Sequence, residues 1–189
     1  VFIFLRYHHI NERSWYIMYK VNDTVLYNTH GVCKIVGISE KDFGGNHTSC
    51  YALKPVYRDK SMVFIPVNSN NALSKMHRIL SADQIYSLIK ALPAEYPVWI
   101  QDKDQRKEYY EKVLLGEDRE ELIILIKTLH VYHQSLLDQG KKMHAADRYF
   151  MKEAEKKLHE EFAYVLNIKP DEVIPFITEQ IKVDEKDDI

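Results

Sequence analysis

The chain has 189 residues, of which 46% are hydrophobic, and its formal net charge at pH 7 is −2. A chain of this length buries one large core or two small ones, so one or two domains are expected. The charge is unevenly divided: residues 1–84 carry 10 Lys and Arg against 6 Asp and Glu, a net +4, and residues 85–189 carry 16 against 22, a net −6. Because non-specific DNA affinity comes from phosphate neutralisation by cations, the acidic half excludes DNA binding by bulk attraction and leaves only a local contact.

The cysteines and the N-terminal segment indicate the cellular compartment. Cys33 and Cys50 lie in segments that read as strands and lack the spacing of a zinc site, so we expect buried thiols in a reducing cytosol. No apolar run approaches the roughly 20 residues of a membrane span, and no small-residue cleavage site follows the apolar patch at residues 1–5. Residues 1–17 show no periodic apolar face, so we expect a non-native or disordered extension there.

The hydrophobic pattern from Lys20 to about Val67 has a period of two, which is typical of half-buried strands. Turn residues at His30-Gly31, Phe43–Asn46 and Arg58–Lys60 separate the apolar runs. About four or five short strands in such a short segment stabilise themselves by curling into a small barrel. The pattern therefore predicts an SH3-like or Tudor-like module over residues 18–72.

After Ser69–Asn71 the hydrophobic period becomes 3.6, which indicates helices. We expect an all-α domain of about five helices over residues 80–182 and a disordered acidic tail over residues 183–189. The fold class is therefore α+β, a small β-barrel followed by helices. The predicted helix boundaries are a capping box at Ser81–Gln84 with Pro93 as the stop, Asp102–Leu115 before Gly116, Asp118 to Gly140, Ala145–Asn167, and a short helix that starts at Pro170.

The sequence contains none of the motifs GxSxG, GxxxxGK[ST], GxGxxG or HExxH, so we expect no enzyme, no cofactor and no small-molecule substrate. His130 and His133, one turn apart, are the best candidates for a metal site, with His144 or His159 as a third member. We interpret them as surface or half-buried histidines without a further ligand of fixed geometry, and expect no metal. The carboxylate pairs Glu120-Glu121 and Glu160-Glu161 lie among lysines and are interpreted as solvated faces.

The run Ser61–Pro66 suggests a docking strand. In a strand, Met62 and Phe64 share one face while Val63 and Ile65 share the other, so both faces are apolar. An edge strand of this kind pairs with the sheet of another protein. The alternative is a strand that is buried between the two domains.

Two further segments suggest DNA contact. Trp99 precedes Lys103, Arg106 and Lys107, and an aromatic ring beside cations is what a minor-groove wedge requires. The alternative is a core tryptophan. The second segment, at the start of the helix predicted from Ala145, combines cations with the anion preference of a helix N-terminus; its residues are Lys141, Lys142, His144 and Arg148.

The segment Met18–Gly31 reads MYKVNDTVLYNTHG and resembles the start of the CarD/CdnL family of bacterial RNA polymerase-binding transcription regulators. The departures are Asn22, where the family has Gly, and Asn28, where it has Pro. The likeness extends to about Ile181 and starts at Met18, so residues 1–17 are expected to be a mis-called upstream extension. The family positions that the segment keeps are Lys20, Asp23, Val25, Tyr27, His30 and Gly31.

The resemblance implies that the barrel docks on the RNA polymerase β subunit by extending a sheet, with Met62, Val63, Phe64 and Ile65 in the docking strand. It also implies that the helical domain contacts the upstream edge of the promoter bubble, where a family tryptophan wedges the minor groove and slows bubble collapse. The family motif is Trp-x-x-Arg-Tyr, whereas Trp99 precedes Arg106 by seven residues, so Trp99 is a candidate only. The implied protein is a cytoplasmic, monomeric regulator that stabilises the open complex; the alternative is an adaptor that binds a protein without DNA.

Overall fold

The computed structural model describes residues 19–27, 30–57, 61–91 and 99–187, with only the backbone described at residues 43 and 181–187. The predictions for residues 1–17, for the turn at residues 58–60 and for the stop at Pro93 lie outside these ranges.

The N-terminal part is a five-stranded antiparallel sheet with the strand order β4-β3-β2-β1-β5. This open sheet, followed by about five helices, is compatible with a Tudor-like fold and confirms the predicted α+β class. β5 pairs with β1 and follows the run in which strands were predicted. The strands are β1 (Thr24–Tyr27), β2 (Val32–Phe43), β3 (Asn46–Pro55), β4 (Val63–Pro66) and β5 (Met76–Arg78).

Turn chemistry sets the register of the long β2–β3 hairpin. Gly44 and Gly45 both have positive φ angles, +69° and +93°, which is the backbone of the hairpin turn that matches strand twist. The Asp42 side chain accepts a hydrogen bond from the Gly45 N–H at 2.6 Å. A register shift between Ile35 and Gly37 interrupts the pairing, and such a bulge increases the local twist. One side of the sheet buries a core of Val25, Cys33, Ile35, Tyr51, Leu53, Ile65 and Met76.

Several helices begin and end at predicted capping residues, whereas the last helix begins at Val173, after a 3₁₀ turn at Pro170–Glu172. Ser81 and Gln84 form the capping box at the start of the helix Ala82–Lys90. Gly140, with φ +67°, follows the end of the helix Arg119–Asp138. The last helix is assigned to Asp187, and the disordered acidic tail expected over residues 183–189 stays a prediction. The helices are α1 (Asn70–Leu73), α2 (Ala82–Lys90), α3 (Lys103–Leu115), α4 (Arg119–Asp138), α5 (Ala145–Leu166) and α6 (Val173–Asp187).

The helices pack around a second hydrophobic core, separate from that of the sheet. Leu122, Leu125 and Leu129 of α4 are fully or almost fully buried against α5, where Phe162 is 0% exposed. These residues recur at helical spacing, so each helix turns one apolar face toward the other. Cys33 and Cys50 are buried on the sheet and are not joined by a disulfide, which confirms the prediction of buried thiols.

The sheet and the helices meet where α5 packs on β1 and β2. The hydroxyls of Thr24 and Tyr164 are 2.9 Å apart, and Gly31 lies against the carboxylate of Glu160. The Leu80 N–H donates to Glu161 Oε1 at 3.0 Å. Polar contacts therefore hold α5 against the sheet.

Glu160 and Glu161 are 3% and 0% exposed, so the prediction that they form a solvated face is wrong. The physical reason is a buried ion pair: Arg119 donates to the two oxygens of Glu161 from Nε at 2.8 Å and from Nη2 at 2.9 Å. A buried carboxylate is stable when its lone pairs are satisfied by a cation and a backbone donor. Lys157 is also buried and donates to the carbonyls of Leu114 and Gly116 at 2.6 and 2.8 Å.

Candidate functional site

The predicted docking strand lies at an edge of the sheet. β4 pairs with β3 on one side, and no other strand of the described ranges pairs with its outer side. Ile65 is 3% exposed and belongs to the sheet core, while Met62, just before the strand, is 38% exposed. Val63 packs against the core, and Phe64 is half-buried. The strand is therefore anchored by one apolar face and open along its backbone.

The register shows which backbone groups of β4 point outward. Val67 donates its N–H to the Ser49 carbonyl at 3.0 Å, so residues 67, 65 and 63 are hydrogen-bonded to β3 by the alternation of an antiparallel pair. The N–H and C=O of Phe64 then point away from β3. The backbone nitrogen of Pro66 also points away from β3. Proline has no N–H to donate, so this position on an edge strand suits it.

A cation covers the side chain of Phe64. The Nζ of Lys41 lies 3.9 Å from the centre of the Phe64 ring, and such a contact is attractive because the ring face is electron-rich. Both residues line a surface depression with Asp42, Met62 and Val63. The outer edge of β4 therefore has an apolar border, formed by Met62 and Phe64, beside the charged side chains of Lys41 and Asp42.

The structure places Trp99 against the helical core. Its ring stacks on Tyr132 with the ring centres 3.5 Å apart and the planes at 16°, and the Arg106 guanidinium lies 4.5 Å from its centre. Trp99 is half-buried and packs against the hydrophobic residues of the helices. This geometry favours the core alternative over a minor-groove wedge.

Arg106 is buried, with 6% exposure. Its Nε donates to Asp147 Oδ1 at 3.0 Å, and its Nη1 donates to the carbonyls of Ile100 and Gln101 at 2.8 and 3.2 Å. The guanidinium therefore joins the start of α3 to α5 and to the segment after Trp99. Its charge is matched inside the protein by Asp147, and the DNA contact expected for Arg106 stays a prediction.

The other predicted DNA-contacting cations are exposed. Lys103 and Lys107 line one groove together with His144, so the fold brings the start of α3 beside the start of α5. Lys107 also makes an exposed ion pair with Glu111 at 3.7 Å. Lys141 and Lys142 lie in the loop that precedes α5 and are exposed.

Arg148 is exposed in the first turn of α5, and its Nη2 donates to the Met143 carbonyl at 3.1 Å. Three residues near it were not predicted as a site from the sequence: Tyr149, Lys152 and Lys156, all exposed. The signal in the sequence is the helical period of these residues, since Arg148, Lys152 and Lys156 recur every four residues and Tyr149 lies next to Arg148.

The histidines of α4 do not form a metal site with their neighbours. His130 Nε2 is 2.5 Å from Glu155 Oε1, and this hydrogen bond raises the pKa of His130 and lowers that of Glu155. Within the part of the chain that the structure describes, no group of three or more His, Cys, Asp and Glu side chains is arranged to hold a metal ion. In the same part of the chain, no helix has the length and apolar character needed to cross a membrane.

Comparison with known proteins identifies the sheet. Residues 19–79 match a family model described as the CarD-like/TRCF RID domain, and this range contains all five strands. Residues 19–79, called the RID domain below, are similar to this family. The match confirms the resemblance to the CarD/CdnL family over these residues. The RID domain is an RNA polymerase-interacting, non-catalytic protein-interaction domain. No curated protein matches the chain in a sequence search.

One departure from the family pattern has a structural counterpart in the RID domain. Asn22 stands where the CarD/CdnL pattern has Gly, and its φ is +77°. Asn tolerates this left-handed conformation better than most residues. Its N–H donates to the Ile35 carbonyl at 2.8 Å, so the turn before β1 is kept despite the substitution.

Proposed function

We propose that this protein is a cytoplasmic transcription regulator that binds the RNA polymerase β subunit and stabilises the promoter open complex. The RID domain docks by pairing β4 with a strand of the β subunit. The helical domain contacts DNA at the upstream edge of the bubble. The protein acts as a monomer and associates with the nucleoid through the polymerase.

The observation that carries the proposal is the coincidence of the family match with an open edge strand. The RID match covers the whole sheet, and the predicted docking residues lie at its unpaired edge. Strand addition uses main-chain hydrogen bonds for affinity and alternate side chains for specificity. The outward N–H and C=O of Phe64 provide the main-chain hydrogen bonds. The apolar border of Met62 and Phe64 provides the specificity.

The DNA contact is supported by where the cations lie. Lys103 and Lys107 share a groove with the start of α5, and Lys141 and Lys142 are exposed in the loop before it. Lysines hold phosphates irrespective of sequence. A local cluster of this kind accounts for DNA contact by a domain whose net charge is negative.

The docking step is tested by a pull-down with the isolated lobe of the β subunit. Phe64→Asp should abolish retention, because a carboxylate spoils the apolar border, whereas Phe64→Leu should retain binding. The matched control is Ile174→Asp, since Ile174 is a 51% exposed apolar residue on α6. Unchanged binding by Phe64→Asp, with a wild-type circular dichroism spectrum, would place the docking surface elsewhere.

The DNA step is tested by the lifetime of an open complex formed with polymerase. The double variant Lys141→Glu/Lys142→Glu should shorten this lifetime while the β lobe is still retained. Lys169→Glu is the control, because Lys169 is exposed just beyond the other end of α5. If the wild-type protein binds the β lobe but leaves the lifetime unchanged, the adaptor function without DNA replaces this proposal.

A further inference from the structure

Helix α5 separates its charges between its two sides. Asp147 pairs with Arg106 and Glu161 pairs with Arg119, and all four side chains are at most 8% exposed. Glu155 pairs with His130, and Glu160 is buried against Gly31. Most of the negative charge of this helix is therefore matched or buried inside the protein.

The exposed side of α5 is cationic. Arg148, Lys152 and Lys156 are exposed, and Tyr149 between them is 56% exposed. At about 100° per residue, these four side chains lie within an arc of roughly 100° on the helix surface. Two half-buried acids border this arc: Glu153 on one side, and on the other Glu155, which is paired with His130. The arc is called the α5 stripe below.

Lys157 marks the boundary of the α5 stripe. It follows Lys156 directly, but it is 6% exposed and holds the carbonyls at the end of α3. Neighbouring lysines therefore have different roles, one internal and one facing solvent. The packing of α5, and not its number of lysines, therefore decides which of its cations belong to the stripe.

The ring of Tyr149 is more accessible than the ring of Trp99. Trp99 is stacked on Tyr132 and lies under Arg106, whereas the described ring contact of Tyr149 is edge-to-face with Phe150 at 5.4 Å and 74°. A base stacks on an aromatic residue only through an accessible ring face, and adjacent cations hold the phosphates on either side.

We propose that the α5 stripe binds single-stranded DNA, with Arg148, Lys152 and Lys156 along the backbone and Tyr149 stacked on an unpaired base. The inference rests on the proposed function, because unpaired bases occur at the edge of the bubble. It extends the contact from Lys141 and Lys142 along α5, and it assigns the base contact to Tyr149 and not to Trp99. The ligand is recognised by its phosphates and by the face of a base, without a required sequence.

The test measures binding of the full chain to fluorescent DNA at low salt without polymerase, comparing a forked duplex with a fully paired one. Tyr149→Ala should weaken binding to the fork by roughly five- to a hundredfold, the range expected for one stacked base, and should leave duplex binding unchanged. Tyr149→Phe should bind as the wild type does. Tyr86→Ala is the control, because Tyr86 is an exposed tyrosine on α2.

The cations are tested by salt dependence. Lys152→Gln/Lys156→Gln should reduce the slope of log affinity against log salt by about 0.7 for each lysine. Absence of fork binding by the wild type, an equal effect of Tyr149→Ala on fork and duplex, or an unchanged salt slope would each overturn the inference. Docking on the β lobe is measured separately by pull-down. If the wild-type protein is not retained by the β lobe, the proposed function fails, but the DNA-binding measurements still test the α5 stripe.

Discussion

Gly31 packs directly against the carboxylate of Glu160: a β-carbon at Gly31 would lie 1.8 Å from Glu160 Oε2. Gly31 also has a φ of +71°, a conformation that side chains disfavour. The His-Gly step kept from the CarD/CdnL pattern is therefore the point where the RID domain admits a side chain of α5. The sheet and the helices fit together through the absence of a side chain at this position.

Gly31→Ala should lower the free energy of unfolding more than Gly44→Ala. Both glycines have positive φ angles, so both variants lose about 1–2 kcal/mol from backbone strain. Only the β-carbon at position 31 also displaces a buried carboxylate, because a β-carbon at Gly44 meets nothing within 4 Å. We expect an additional loss of about 1 kcal/mol for Gly31→Ala in urea denaturation. Equal losses would mean that Glu160 moves aside freely.

Arg119→Met should lower the free energy of unfolding by about 3–5 kcal/mol, because it leaves the carboxylate of Glu161 buried without a cation. Adding Glu161→Leu should restore part of this loss, since the uncompensated charge is then removed. Lys107→Met is the control: its pair with Glu111 is more than half exposed, and such pairs contribute about 0.5 kcal/mol or less. A loss of similar size for the two single variants in urea denaturation would contradict the buried pair.

Stability should depend on pH through Lys157, whose pKa burial lowers to about 8. In the unfolded chain a lysine keeps its proton up to a pKa of about 10.4. Between these values the unfolded state binds more protons, so the contribution of Lys157 to the free energy of unfolding rises with pH, by at most about 1.4 kcal/mol per pH unit. Below about pH 8 the residue is protonated in both states, and its contribution is constant.

The measurement for Lys157 is a difference between two proteins. Wild type and Lys157→Met are unfolded with urea at a series of pH values, and the difference in their free energies of unfolding is plotted. Tyrosines with raised pKa values, such as Tyr109, titrate in both proteins and cancel. The difference should rise in favour of the wild type above about pH 8; a flat difference would show that Lys157 stays protonated in the folded state.

Trp99→Ala should act on stability and not on the open complex. The side chain is half-buried, so we expect a loss of about 2 kcal/mol, below the 3–5 kcal/mol that is typical of a fully buried aromatic. Trp99→Phe keeps a ring on Tyr132 and should recover most of this loss. Open-complex lifetime should be unchanged at a temperature where the variant is folded. A shorter lifetime with wild-type stability would make Trp99 the wedge.

Local features of the fold followed from the sequence. The capping box of Ser81 and Gln84 involves residues three positions apart, and the turn at Gly44 depends on the backbone freedom of two adjacent residues. Interactions of such short range are encoded in the segment that forms them. β4 lies at the edge of the sheet, which agrees with one of the two alternatives that its two apolar faces left open, and the docking role of residues 62–65 stays a prediction.

Buried charges could not be predicted in the same way. Arg106 and Asp147 are separated by 41 residues, and Arg119 and Glu161 by 42. A periodic pattern assigns charged residues to the solvent side, and only the packing of α3 and α4 on α5 brings these pairs together. The strand Met76–Arg78 was missed for the same reason, since its three residues show no alternation and are held by pairing with distant β1.

The contact between Thr24 and Tyr164 spans 140 residues of sequence. During synthesis the N-terminal segment leaves the ribosome first, so the strands of the sheet are all available well before α5 exists. The contacts of Gly31 with Glu160 and of Arg119 with Glu161 likewise need α5. The junction therefore forms only after α5 has been synthesised, and a nascent chain that ends before residue 145 would carry the five strands without it.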